Sequence, residues 1–184
     1  QMCIRDSNYI LKAEKLVKEY PLPQGKLCIF DQFNFSLEKG NLIAIMGASG
    51  VGKTTLLNLL GALDTPTSGK IFFEGEDIFS QTDIERAEFR NKKIGFIFQF
   101  YHLLPEFTAM ENVSIPLFIH GIDKNTAEAR AIKMLKEVKL EEKAMVRPNR
   151  LSGGEQQRIA IARALINDPP VSYTHLTLPT KRIV

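Results

Sequence analysis

Gly47-Ala48-Ser49-Gly50-Val51-Gly52-Lys53-Thr54-Thr55 decides the fold, because it fits the phosphate-cradling pattern G-x-x-x-x-G-K-[ST] without a departure. Glycines let the backbone turn its N–H groups inward, and no Cβ blocks a close phosphate oxygen. A helix is expected to start at Lys53, so that its positive dipole end faces the same spot. Lys53 then supplies a mobile charge for the outer phosphates, and Thr54 a hydroxyl for Mg²⁺. Leu42-Ile43-Ala44-Ile45-Met46 ahead of the loop is an apolar run of the kind a buried parallel strand would have. Leu56, Leu57, Leu59 and Leu60 behind it suit a helix packed onto that sheet.

The 184 residues can hold one domain with a real core, in α/β style. A content of 44% hydrophobic and 24% charged residues is ordinary for a globular protein. No apolar run is long enough to cross a bilayer, so direct membrane insertion is not expected. Cys3 and Cys28 make neither a disulfide framework nor a metal spacing. The formal charge of +3 includes Lys181 and Arg182 at the very end, and no nucleic-acid footprint is expected.

Along the chain, Tyr9–Tyr20 and Leu27–Leu37 read as two strands with a turn at Pro21, Pro23 and Gly25. The loop's helix ends near Gly61, and Lys70–Phe73 reads as another strand. Thr82–Arg90 reads as a short polar helix. Ile94–Phe98 reads as an apolar strand that delivers Gln99 to its carboxyl end, on the rim where α/β sheets bind ligands. Helices follow. Thr108 with Glu111 has the capping-box spacing, and Asn125–Leu140 places Ala127, Ala131, Leu135 and Val138 on one face. Ser152 opens a helix through Ile166 that is apolar on most sides after its first turn, and burial is expected there.

Leu151-Ser152-Gly153-Gly154-Glu155-Gln156 is the second chemical feature. Ser152 can cap its helix, and the two glycines leave the first N–H groups uncovered, which makes an anion site with a hydroxyl donor. A well-capped core helix is the plainer reading of the same residues. The stretch matches the signature sequence of ABC transporter nucleotide-binding subunits, and from about residue 8 to Pro170 the chain resembles that family. Within it, Leu59–Gly69 and Gln99–Val113 most resemble the ATPases of bacterial lipoprotein-releasing systems. Macrolide-exporter and cell-division ATPases are the alternatives.

The resemblance implies a P-loop NTPase (RecA-like) α/β core with an antiparallel β subdomain in residues 8–99. Residues 100–166 would be a helical subdomain carrying the signature. It implies ATP and Mg²⁺ as ligands, with Tyr20 just after the first strand stacking on adenine, although an exposed strand-end tyrosine remains open. It places Gln99 with Thr54 at Mg²⁺ and at the attacking water. It implies a homodimer in which Ser152 and Gly154 of one chain meet the ATP held by another chain's Lys53. Transmembrane permease subunits are the implied partners, with Phe100, Tyr101, Leu103, Leu104 and Phe107 as their candidate contact or as packing within the subdomain. The implied location is peripheral, on the cytoplasmic face of the bacterial inner membrane.

Past Pro170 the family pattern breaks. Residues 171–184 contain no carboxylate, so the Walker B Asp, the catalytic Glu and the switch His find no match, and the neighbours of His175 do not fit the last of these. Segments Met2–Ser7 and Val171–Thr180 resemble translated adapter sequence, so residues 1–7 and 171–184 are expected to be foreign and the core sheet incomplete at its C-terminal side. Residues 171–178 have strand propensity of their own. The chain as written is expected to hold ATP and to hydrolyse it poorly. A soluble ABC protein without a transport role, or a non-catalytic nucleotide-binding module, is the reading from a different class.

Overall fold

Two long antiparallel strands, β1 (Tyr9–Leu22) and β2 (Gly25–Glu38), open the described chain and meet at a two-residue turn of Pro23 and Gln24. The computed structural model describes residues 8–174; Cys3, His175 and the rest of residues 1–7 and 175–184 lie outside them. The chain falls into two compact units, residues 1–87 and 88–184.

In the first unit, β1 also pairs with β3 (Ser68–Phe73), and β3 with the short β4 (Glu76–Asp77), giving the order β2-β1-β3-β4. The sheet is antiparallel throughout. The register between β1 and β3 shifts between Glu14 and Val17, and Lys15 there has a φ of +47°. Gly69 faces that bulge. A Cβ on it would lie 2.4 Å from the Lys15 carbonyl oxygen, so only glycine lets the strands approach. Between β2 and β3 runs α1 (Lys53–Leu60), which starts and ends where the sequence predicts and buries Leu56, Leu59 and Leu60. Leu11, Leu16, Ile71 and Ile78 are also buried in this unit.

The run Leu42–Met46 corrects the expectation of a buried parallel strand. It forms no regular structure, and Leu42 is 99% exposed. An apolar strand is held by neighbours that take its N–H and C=O groups on both edges, and among the described residues none pairs with it.

A polar helix, α2 (Asp83–Lys93), leads into β5 (Ile94–Ile97). Thr82 caps α2, its hydroxyl accepting from the Glu85 amide while Glu85 reaches back to the Thr82 amide at 2.8 Å. In the second unit β5 pairs in parallel with β6 (Val171–Thr174), with Ile94 opposite Val171. Three helices complete it: α3 (Ala109–Ile119), α4 (Lys124–Glu137) and α5 (Gly153–Leu165). They share one core that includes Val113, Leu117, Ala127, Ala131, Leu135, Ile159 and Ala162. Ala127, Ala131 and Leu135 therefore form the buried face of α4 that the sequence predicts. The α5 helix is less buried than expected, since Ile159, Ala160 and Ala162 are enclosed while Leu165 is 38% exposed.

Asn112 on α3 is fully buried and fastens the connection ahead of its own helix. Its Oδ1 accepts from the Leu104 amide at 2.8 Å, and its Nδ2 donates to the carbonyls of Leu104, Phe107 and Thr108. Truncating it leaves buried donors and acceptors unpaired, at a cost near 1–3 kcal/mol for a typical site. Asn112→Ala is expected to lower unfolding free energy by about 3 kcal/mol in urea titrations, with the Leu104–Phe107 segment losing protection from hydrogen exchange.

Candidate functional site

The phosphate-loop motif lies in the first unit, and residues 47–51 are exposed to solvent. Gly50 and Gly52 have φ of +81° and +100°, the left-handed region in which a side chain is strained. At Gly52 the need is double, because a Cβ would also lie 2.6 Å from Ile29 Cγ2 on β2. Gly52 is the N-cap of α1 and brings no side chain to cap it, and no acid stands in the first turn. The Leu56 amide donates to the Gly52 carbonyl at 2.8 Å, so the helix begins at once behind the loop. Lys53 folds back over the loop, and its Nζ donates to the carbonyls of Gly47 at 2.8 Å and Ala48 at 2.7 Å. An ammonium and an uncapped helix start thus lie at one open loop, a combination that suits an oxyanion. Thr54 and Thr55 follow in the first turn, Thr54 exposed.

Tyr20 stands inside β1, which runs on to Leu22, rather than beyond the strand as expected. Its hydroxyl donates to Asp64 Oδ2 at 2.8 Å and is also hydrogen-bonded to the Thr55 side chain. Asp64 Oδ1 takes the Lys18 ammonium at 2.8 Å, Lys18 also donates to the Thr65 carbonyl at 2.8 Å, and the same ammonium sits 4.6 Å from the Tyr20 ring centroid. Lys18 is 7% exposed, and the pair ties the middle of β1 to the chain that leaves α1. Burial pushes the Asp64 carboxyl up, but hydrogen bonds from Lys18, Tyr20 and the Thr65 amide outweigh it and hold the pKa below the usual aspartate value. Burial, then the bond to Asp64, raises the Tyr20 phenol.

In the second unit, Gln99 follows β5 by two residues and is half-buried. It sits in a turn closed by the Tyr101 amide on the Phe98 carbonyl at 3.1 Å. A tighter turn follows at once, the His102 amide reaching the Phe100 carbonyl at 2.6 Å. Tyr101 and His102 have φ of +58° and +47°, each costing about 1 kcal/mol or more for a residue with a side chain. Of the expected apolar contact cluster, Phe100 is 76% exposed and Leu104 and Phe107 about two fifths; Tyr101 and Leu103 are half-buried.

Leu151 is buried and Ser152 is the N-cap of α5. The serine hydroxyl is already engaged: it donates to Glu155 Oε2 at 2.8 Å and accepts from the Glu155 amide at 3.3 Å. The expectation of a waiting hydroxyl donor is corrected accordingly, because the capping box uses it within the chain. Hydrogen bonds from the Ser152 amide and then its hydroxyl lower the Glu155 carboxyl pKa. Gln156 turns away and donates to the carbonyls of Pro148 and Leu151 at 3.0 Å. Gly154 faces open space, since a Cβ on it would meet nothing within 4 Å, while a Cβ on Gly153 would lie 4.0 Å from the Tyr101 hydroxyl.

Among the described residues no group of three His, Cys, Asp or Glu side chains is placed to hold a metal ion. In the first unit, the Thr54 hydroxyl is a hard oxygen donor of the kind Mg²⁺ takes. Lys18, Asp64, Asn112 and Arg163 went unnoticed in the sequence, because each acts through a contact with residues that its neighbours do not reveal. Among the described residues no helix is long and apolar enough to cross a membrane.

Comparison with known proteins agrees with this geometry. A model of the family described as ABC transporter matches residues 30–173. The lipoprotein-releasing system ATP-binding protein LolD of Xanthomonas axonopodis pv. citri (strain 306) is 46% identical over 160 residues, covering 87% of this chain. Its counterpart in Xanthomonas euvesicatoria pv. vesicatoria (strain 85-10) matches equally. The chain spans 66% of the length of these curated relatives. Among solved structures, the ATP-binding cassette MJ0796, a dimer in a post-hydrolysis state bound to ADP and Pi, shares 38% identity at a TM-score of 0.82, covering 88% of this chain and 72% of that one. The cbiO1 protein of Clostridium perfringens, part of the transporter complex cbiONQ, shares 28% identity at 0.75, covering 90% and 64%. The chain belongs to the ABC transporter family and has its ATPase fold, with an antiparallel β subdomain and a helical region.

The Lys18–Asp64 pair gives a measurable pH dependence. With its pKa held below the usual value, Asp64 contributes stability that is complete above about pH 4 and is lost as pH falls through the depressed value. Asp64→Asn strands the buried ammonium; since the Asp64 side chain is 31% exposed, a loss of about 2 kcal/mol at pH 7 is expected. The gap between wild type and variant in denaturant titrations should narrow below about pH 4.

Proposed function

We propose that this chain is the ATP-binding subunit of an ABC transporter whose ATP binding and hydrolysis drive lipoprotein release from the bacterial inner membrane. The observation that carries the reading is the open phosphate loop, with Gly52 left-handed and uncapped and Lys53 folded over the carbonyls of Gly47 and Ala48. The likeness to the lipoprotein-releasing ATP-binding proteins supports the finer assignment. Gly47–Thr55 bind the triphosphate, Lys53 meets the outer phosphates, and Tyr20 stacks on the base. Thr54 and Gln99 give oxygens to the accompanying Mg²⁺, which supplies positive charge against the phosphate oxygens when bound.

Two such chains pair through ATP, as the dimeric MJ0796 structures suggest by analogy. Glycine costs a helix about 1 kcal/mol relative to alanine, and here two stand in one first turn where the chain itself leaves room for side chains. That supports close approach from outside, with Leu151–Gln156 of one chain closing over the nucleotide of the other. Residues 8–170 form the ATPase domain of this reading, seated through permease subunits on the cytoplasmic face of the membrane. Asp168 is the last acid of the sequence. Within these 184 residues no carboxylate follows it to orient water, so this polypeptide binds ATP and turns it over slowly.

Equilibrium titration with a fluorescent ATP analogue and Mg²⁺ tests the reading. Saturable binding is expected, with Lys53→Ala weakening it by about tenfold or more through the loss of a charge-assisted contact. Phosphate release is expected to run at least about a hundredfold below that of a full-length relative. No binding by the wild type, or turnover equal to the relative's, would overturn the respective part.

A further inference from the structure

The close seat of α5 on β5 starts at Gly95, where a Cβ would lie 2.5 Å from the Ala164 carbonyl oxygen. The residue beside it, Arg163, thereby comes level with the chain leaving β5. Its Nη1 donates to the His102 carbonyl at 2.7 Å and its Nη2 to the Tyr101 carbonyl at 2.6 Å. These are the two residues with left-handed backbone, at the end of the paired turns that begin on either side of Gln99. Backbone of this kind persists only where its surroundings over-determine it, and otherwise relaxes. A planar guanidinium fork is suited to hold two successive carbonyls at a fixed spacing, which a single ammonium is not.

Arg163 is half-buried, and among the described residues no carboxylate pairs with it. Desolvation lowers its pKa from the ordinary arginine value. A partly desolvated cation with no anion costs free energy, and its described work is to hold these two carbonyls.

We propose that Arg163 is a positioning residue: from the signature helix it clamps Tyr101 and His102, and so fixes where Gln99 presents its amide. This rests on the reading of Gln99 as a group that faces the Mg²⁺ of bound ATP. It also makes the placement of Gln99 depend on the seat of the helix that Leu151–Gln156 open.

Hydrogen exchange on the 184-residue chain without nucleotide tests the clamp directly. In Arg163→Ala, amides of residues 99–103 are expected to exchange about tenfold faster or more, while those of the first two turns of α5 keep their rates. Arg163→Lys, with one ammonium for two carbonyls, should fall between. Unchanged exchange at 99–103 in a folded Arg163→Ala overturns the proposal. If that variant does not fold, wild-type rates at 99–103 in Arg163→Lys overturn it instead. A second measurement reads the consequence, as affinity for a fluorescent ATP analogue with Mg²⁺ and with EDTA. Arg163→Ala is expected to reduce the gain in affinity due to Mg²⁺ by about tenfold while metal-free affinity stays, as expected when the partner that orients a ligating group is lost. Gln99→Ala should do the same, and the double variant no more. Equal loss under both conditions, or an unchanged Mg²⁺ gain, overturns the proposal. A wild type that binds no nucleotide overturns the reading of the site instead, and the exchange rates then decide the clamp alone.

Discussion

The first amides of an α-helix have no partner inside the helix, and how this chain deals with that constraint sorts its helices into two kinds. Thr82, Thr108 and Ser152 each accept from the amide three residues on, and Glu85, Glu111 and Glu155 each reach back to close the box. Asp123 caps α4 on the Thr126 amide at 3.1 Å. Among the described α-helices only α1 begins without a side-chain cap, on a glycine that must be left-handed. The chain thus satisfies four helix starts from its own side chains and leaves one for an external anion. A capped α1 would be more stable by roughly 1 kcal/mol and would have nothing to offer a phosphate.

The same constraint changes the meaning of the signature stretch. Ser152 and Glu155 already satisfy each other, so in the free chain the start of α5 is not a second empty anion cradle. What it offers is a bare surface, Gly153 and Gly154, with no side chain to hold an incoming chain away. Glu155, the partner of Ser152 in the cap, is half-buried.

The legible parts of the sequence were those fixed within a few residues. The phosphate loop, the Thr108–Glu111 capping box and the Ala127–Leu135 face all depend on near neighbours, and all stand where they were expected. Leu42–Met46 failed for the opposite reason. Its composition is that of a buried strand, but a strand needs a ladder, and composition does not supply one. Tyr20, expected beyond the strand, lies within it because β1 goes on pairing with β2 as far as Leu22 and Gly25, and Asp64, 44 residues on, holds its hydroxyl and the Lys18 ammonium together. Arg163 acts on residues 61 and 62 positions away, across a contact set up by a missing Cβ at Gly95. No local pattern carries that kind of information.

These long-range ties also fall where the backbone is least comfortable. Tyr101 and His102 stand in a region that side chains avoid, and the two turns around them are too short to hold themselves there. The strain is tolerated because one rigid body on each side fixes the ends. On one side β5 is locked against α5 by the Gly95–Ala164 approach; on the other, Asn112 anchors Leu104 through both its amide and its carbonyl. Residues 98–103 therefore span a fixed gap between two anchored points, with the Arg163 fork in the middle. A segment held this way is poor at drifting and good at responding as a unit, since a small shift of α5 moves both accepted carbonyls together. The link from α5 to the turn at Gln99 is the Arg163 side chain, through its two hydrogen bonds to backbone carbonyls.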